Sequence, residues 1–126
     1  VTTPQDVALL DARKGIEMFN KVGVPILGVV ENMSTHICTQ CGHEEAIFGT
    51  GGGNRLASEY GVTVIGRLPL ELAIRESSYG GDPVVASEPN HPATASYLEL
   101  ANNVRKRLAE VELSAEAGPK ITISAD

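Results

Sequence analysis

The feature that most constrains the fold is a pattern that occurs twice: the end of a helix, a glycine, and then a short apolar strand that contains a second glycine. The two copies read KVGVPILGVV, which begins at Lys21, and EYGVTVIGRL, which begins at Glu59. Strands that alternate with helices in this way pair in parallel through right-handed crossovers. The sequence therefore predicts an α/β domain with a parallel sheet and strands at residues 24–30 and 62–68.

Helix signals surround the two predicted strands. Thr3 is suited to cap a first helix that Pro4 begins and that runs to about residue 22, and Gly23 occupies the left-handed position that ends many helices. Further helices are expected at residues 54–60, 70–77 and 92–113, with a Gly- and Pro-rich loop at 79–92. Residues 114–126 are expected to form a mobile tail.

The chain contains two cysteines, Cys38 and Cys41, separated by two residues. This is not a disulfide framework, and it suits a metal or redox role in a reducing compartment. Two thiolates at this spacing can chelate one metal, and Gly42 would relax the turn so that backbone N–H groups point at sulfur. A single pair nevertheless provides only half of the ligands that a tetrahedral zinc ion or a cubane cluster requires.

The residues alone leave the source of the missing ligands open. His36 or His43 could complete a zinc site within one chain. Two chains could instead each supply one cysteine pair across a two-fold axis. A thioredoxin-like redox role and a pair of unligated loop thiols are the remaining alternatives.

Ligands of an open α/β sheet bind outside the carboxyl ends of its strands. Asn32 follows the first predicted strand, and its carboxamide offers one donor and one acceptor to the edge of a purine, unless local backbone satisfies it in a turn. The glycine run at residues 49–53 is interpreted as a flexible turn, because no Gly-Lys-Ser/Thr occurs in the chain. His91 is expected to be solvated at the start of a helix.

Composition excludes two classes of partner. The net charge of −6 argues against a general nucleic-acid binder, which would carry a basic face. No run approaches the ~18 apolar residues of a membrane helix, and no secretion signal is visible, so neither nucleic acid nor a membrane is an expected partner. With its reduced cysteines, the protein is expected to be cytoplasmic. The chain opens at Val1 as if within a strand, which suggests a piece of a longer protein.

Several separate segments resemble one family. They are VTTPQDVALLDARKGIEMFNKVGVPILGVVENMS, CTQCGH, IFGTGGG, IGRLPLELAIRE and GGDPVV, in this order along the chain. Together they closely resemble the C-terminal half of the Mrp-type, or ApbC-like, iron–sulfur carrier ATPases, which are relatives of MinD among the deviant-Walker P-loop NTPases. The resemblance covers about residues 1–111. It implies that residues 1–113 form the C-terminal half of a P-loop NTPase domain.

The resemblance also implies a function. Members of this family are homodimers that bind ATP with Mg²⁺ and assemble or transfer a [4Fe–4S] cluster to apo iron–sulfur proteins. The cluster is held between two subunits by the cysteine pair of each, which here is Cys38 and Cys41. Asn32 matches the adenine-contacting Asn of the family, and Pro69 lies in the segment that packs beside the base.

The family's phosphate-binding machinery has no counterpart in this sequence. Its Walker A lysines, Mg²⁺-binding Ser/Thr and switch aspartates belong to an N-terminal half that is not present here, so no catalytic residue is assigned and the chain alone is not expected to hydrolyse ATP. Two rival classes remain. One is a zinc-binding structural or interaction module, and the other is a MinD/ParA-like partition ATPase, which the cysteine pair and the lack of a C-terminal amphipathic membrane helix disfavour.

Overall fold

The structure, a computed structural model, describes residues 1–115. Its helices and strands are, in chain order, α1 (Asp6–Lys21), β1 (Val29–Glu31), β2 (His36–Ile37), β3 (Glu44–Glu45), α2 (Gly52–Tyr60), β4 (Val64–Arg67), α3 (Leu72–Tyr79), α4 (Val84–Ser87) and α5 (Pro92–Ala115). None of the helices within residues 1–115 combines the length and the apolar composition that a membrane span requires.

The central sheet is parallel. Strands β1 and β4 pair in parallel, with Val29 opposite Val64. Thr2 extends the sheet at the other edge of β1, because its N–H donates to Val30 O (2.9 Å) and its carbonyl accepts from Asn32 N–H (2.7 Å). The carboxyl ends of these segments therefore lie at one edge of the sheet. The predicted α/β class with a parallel sheet is confirmed.

The core lies between α1, α2 and one face of the sheet. It is formed by the buried side chains of Leu9, Ile16, Val29, Leu56 and Ala57. Leu9 and Ile16 are seven residues apart and share one face of α1, as the helical spacing predicted. Helix α5 packs against β4 elsewhere in the fold.

Strand β1 is shorter than predicted. The prediction covered residues 24–30, but regular pairing begins only at Val29 and ends at Glu31. Pro25 has no N–H to give to a ladder. The backbone of Gly28 lies so close to Ile65 that an added Cβ would be 2.6 Å from its Cγ2 atom, and the register shifts immediately afterwards. The apolar run before Val29 therefore packs without forming a strand.

The ends of the helices also differ from the prediction. Helix α1 begins at Asp6 after Gln5, and the Thr3 hydroxyl donates to Gln5 Oε1 (3.1 Å) instead of capping the helix. The predicted loop at 79–92 contains the single turn of α4. Helix α5 ends at Ala115, two residues past the predicted end at 113, and residues 116–126 of the predicted tail lie outside the described part of the chain. Gly23 has the expected left-handed conformation (φ 71°).

The glycine run is only partly a turn, because its last two residues are buried in the first turn of α2. Gly51 has φ 72° and precedes the helix. A Cβ on Gly52 would lie 2.7 Å from Pro4 O, and one on Gly53 would lie 2.7 Å from Glu31 Oε2. Real Cβ atoms essentially never make contacts under 3.0 Å, so a side chain at position 52 would overlap backbone, and one at position 53 would displace the buried Glu31 carboxylate.

We expect Gly52→Ala to lower the free energy of unfolding by about 1–3 kcal/mol, because the added methyl group overlaps backbone that cannot move freely. Gly15→Ala in α1 is the matched control. No atom lies within 4 Å of an added Cβ there, so the better helix propensity of alanine should leave stability unchanged or raise it by up to about 1 kcal/mol. Urea unfolding of both variants measures the difference, and equal shifts would contradict the packing argument.

Candidate functional site

The two cysteines are carried by a β-hairpin. Strands β2 and β3 pair antiparallel, with His36 opposite Glu45. At the tip, Cys38 N–H donates to His43 O (2.9 Å) and Gly42 N–H donates to Cys38 O (2.9 Å). Gly42 has φ 69°, which is the relaxed turn that the sequence predicted. This cysteine hairpin, residues 36–45, presents Cys38 half-buried and Cys41 exposed, both as free thiols.

The hairpin tip stabilises a thiolate. Hydrogen bonds from the backbone of Gln40 and then of Cys41, followed by one from the Cys41 side chain, lower the pKa of Cys38 below its ordinary value. Burial and the Glu45 carboxylate act in the opposite direction and are outweighed. Because the thiolate is the form that binds metals, this geometry prepares Cys38 to act as a ligand.

We expect Cys38 to stay reactive at lower pH than an ordinary thiol. A lowered pKa means that the thiolate persists as the pH falls, and that it is lost only when the pH passes through the lowered value. In a Cys41→Ala variant, the alkylation rate of Cys38 by iodoacetamide should therefore have its midpoint below the ~8.5 of a free cysteine. The backbone hydrogen bonds remain in that variant. A midpoint at or above the free value would contradict the proposed stabilisation.

The hairpin does not assemble a complete metal site by itself. Within residues 1–115, no group of three or more His, Cys, Asp or Glu side chains converges to hold a metal ion. His36 instead places its Nδ1 atom 3.2 Å from Leu70 O. The structure therefore does not bring His36 or His43 together with the cysteine pair, as the single-chain zinc alternative would require.

The two predicted adenine contacts lie at the carboxyl edge of the sheet but on different cavities. Asn32 follows β1, lines a groove of about 720 Å³, and accepts a hydrogen bond from Met33 N–H at its Oδ1 atom (2.9 Å). Pro69 follows β4 and lines a separate cavity of about 310 Å³. The bond from Met33 N–H is of the kind expected if Asn32 is satisfied by local backbone in a turn. The assignment of both residues to adenine stays a prediction.

Glu31 is a structural residue of the site that the sequence analysis missed. It is 3% exposed at the end of β1. Its carboxylate accepts from Gly53 N–H (2.6 Å) and from the Ser34 hydroxyl (2.8 Å), and Arg67 Nε lies 3.7 Å away. It thus joins the sheet, the start of α2 and the segment that leads to the cysteine hairpin. An acidic residue that ends an apolar run was the available signal.

His91 is not solvated as predicted. Its side chain is 20% exposed, its Nδ1 atom accepts from Ala93 N–H (3.1 Å), and its Nε2 atom lies 3.4 Å from Glu71 Oε2. His91 therefore connects the first turn of α5 to Glu71 in the segment that follows β4. Among the described residues, Glu71 Oε1 is buried with no hydrogen-bond partner.

Comparison with known proteins identifies the family. The model of the ParA family, described as NUBPL iron-transfer P-loop NTPase, matches residues 1–105. An iron-sulfur cluster carrier protein of Pseudomonas fragi is 59% identical over 101 residues, which are 80% of this chain and 35% of that protein. The iron-sulfur cluster transfer protein NUBPL of Mus musculus is 50% identical over 108 residues, 86% of this chain and 34% of that protein. The chain thus spans about a third of the length of these relatives.

A solved structure agrees with this result. The septum site-determining protein MinD of Pyrococcus horikoshii, complexed with Mg-ADP, superposes with a TM-score of 0.66 at 26% identity, over 88% of this chain and 41% of that one. The resemblance that the sequence motifs indicated, to MinD-related iron–sulfur carrier ATPases, is confirmed. The chain belongs to the ParA family of NUBPL iron-transfer P-loop NTPases.

Proposed function

We propose that the protein is an iron–sulfur cluster carrier in which Cys38 and Cys41 hold a [4Fe–4S] cluster as cargo between two subunits. The observation that carries this proposal is a hairpin with two free thiols and, within the described residues, no third ligand beside them. A cubane cluster needs four thiolates, and a second copy related by a two-fold axis supplies the other two. The names of the relatives support the same cargo.

ATP with Mg²⁺ is the proposed second ligand. Asn32 and Pro69 follow neighbouring parallel strands, at the edge where nucleotides bind in open α/β sheets. The family description is that of a P-loop NTPase, while this chain contains no Gly-Lys-Ser/Thr of its own. The phosphates must therefore be bound by residues outside this chain, and the chain by itself does not turn over ATP.

Cluster transfer requires ligand exchange at an accessible position. Cys41 is exposed at the tip of the hairpin. A thiolate of an apo iron–sulfur protein can replace the cysteine thiolates one at a time at iron, with each displaced thiolate leaving as a free ligand and no electron changing hands. A cluster shared at the surface of two subunits is open to this exchange, whereas a buried one is not. Because the carrier thiols must stay reduced, we assign the protein to the cytoplasm.

Anaerobic reconstitution tests the proposal. Iron, acid-labile sulfide and zinc are measured together with the mass of the assembly in the same sample. About four irons and four sulfides per dimer are expected, as one cubane cluster requires. One zinc per monomer, or a monomer without metal, would overturn the bridging-cluster proposal. A partition ATPase of the MinD type would also bind no iron in this experiment, because it has no use for the cysteine hairpin.

A further inference from the structure

The base of the cysteine hairpin is hydrogen-bonded to the segment that follows β4. Ser34 N–H donates to Leu68 O (3.0 Å), and Leu70 N–H donates to Thr35 O (2.7 Å). His36 and Leu70 form a parallel bridge at the end of this short ladder. Residues 34–36 therefore run beside residues 68–70, and Pro69 lies at the centre of the contact.

His36 adds a side-chain bond to this ladder. Its Nδ1 atom lies 3.2 Å from Leu70 O. A carbonyl oxygen can only accept, so Nδ1 carries the proton and donates it. His36 is the first residue of β2, two residues before Cys38, and the imidazole thus ties the strand that leads to the cysteines to the Leu70 carbonyl.

The cavity of about 310 Å³ lies between the same two segments and the start of α5, from which Pro92, Ala93 and Ser96 line it. Ile37 and Glu44 line it from the cysteine hairpin, Thr35 lines it from the position just before the hairpin, and Pro69 and Glu71 line it from the segment after β4. The Thr35 hydroxyl donates to Glu44 Oε1 (2.7 Å), which joins the base of the hairpin to β3. Because residues 34–36 and 68–70 share hydrogen bonds, a shift of residues 68–70 must move the base of the hairpin or break those bonds.

We propose that His36 is a positioning residue that couples nucleotide binding beside Pro69 to the geometry of the cysteine pair. This inference rests on the proposed function. A nucleotide that displaces residues 68–70 moves residues 34–36 through the ladder and the imidazole, and the short hairpin follows with its two thiolates. The distance between the cysteine pairs of two subunits then depends on nucleotide. ATP binding thereby changes the affinity for the cluster. By linkage, cluster binding changes the affinity for ATP by the same factor.

The test measures cluster release from the reconstituted full-length protein to an iron chelator, with and without ATP, from the decay of cluster absorbance. ATP is expected to change the release rate of the wild type at least about fivefold, the lower end of typical coupling. His36→Ala should reduce this ratio to below about twofold while iron content stays that of the wild type. ATP affinity with and without cluster is measured in parallel, because linkage requires the cluster to change the ATP affinity by the same factor by which ATP changes the cluster affinity.

Three further variants separate positioning from folding. In His36→Asn the amide nitrogen occupies the place of Nδ1, so the bond to Leu70 O and the ATP ratio should be retained. In His36→Gln the amide lies near the place of Nε2, so the ratio should fall although a polar side chain of similar length remains. His43→Ala removes the other histidine of the same hairpin and should leave the ratio unchanged.

Each result has a defined meaning. A wild-type protein that binds no cluster overturns the proposed function and this inference together. A wild type that binds cluster but releases it at the same rate with and without ATP overturns only the inference. So does a His36→Ala or His36→Gln variant that keeps the full ATP ratio.

Discussion

Replacing Cys38 or Cys41 with alanine is expected to reduce the iron content of the reconstituted protein from about four atoms per proposed dimer to background. In the proposed dimer each subunit carries the change, so two of the four proposed cluster ligands are lost at once. No other cluster of metal-binding side chains within residues 1–115 can take their place. Iron and sulfide analysis, with the visible absorbance of the cluster, measures the loss.

Thr39→Ala is the matched control for the cysteine variants. Thr39 lies between the two cysteines and is exposed, so its replacement leaves both thiols and the backbone of the turn in place. It should retain the iron content of the wild type. The Cys41→Ala variant should also keep the unfolding midpoint of the wild type without cluster, because Cys41 is exposed and contributes little to the core. A Cys38→Ala dimer that still holds a full cluster would mean that the ligands lie elsewhere.

The α/β class could be predicted because its signals are local. The glycines at the ends of α1 and α2 and the apolar residues that follow them are encoded within ten residues each. Gly23 adopts the left-handed conformation expected of it, and Gly61, at the same place after α2, adopts it too. The cysteine pair was equally visible, because its spacing alone indicates a chelating or redox role.

The cysteine hairpin could not be predicted, because strands of two residues are too short to produce an alternating pattern. The bonds that hold it, from Ser34 to Leu68 and from Leu70 to Thr35, join segments more than 30 residues apart. The glycine run was misread for a similar reason. Its buried packing depends on Pro4 and Glu31, which are distant in sequence and adjacent only in the fold.

The largest loss of stability is expected for Glu31→Ala. The change leaves the buried N–H of Gly53 without its 2.6 Å acceptor, removes the acceptor of the Ser34 hydroxyl, and opens a cavity beside α2. An unsatisfied buried donor and a cavity together should lower the free energy of unfolding by about 3 kcal/mol. Thermal unfolding followed by circular dichroism would measure this as a fall in Tm of roughly 10–20 °C.

Glu31→Gln separates the charge of Glu31 from its contacts, and Glu76→Ala is the control at an exposed position. Glu31→Gln keeps the volume and one acceptor for Gly53 N–H but loses the attraction to Arg67, so a smaller loss of about 1–2 kcal/mol is expected. Glu76→Ala, at an exposed position in α3, should change stability by less than about 0.5 kcal/mol. If Glu31→Ala were as mild as Glu76→Ala, the carboxylate would not hold the sheet and α2 together. The connection between β1 and the cysteine hairpin would then be held by the backbone hydrogen bonds of residues 34–36 alone, without the Ser34–Glu31 side-chain bond.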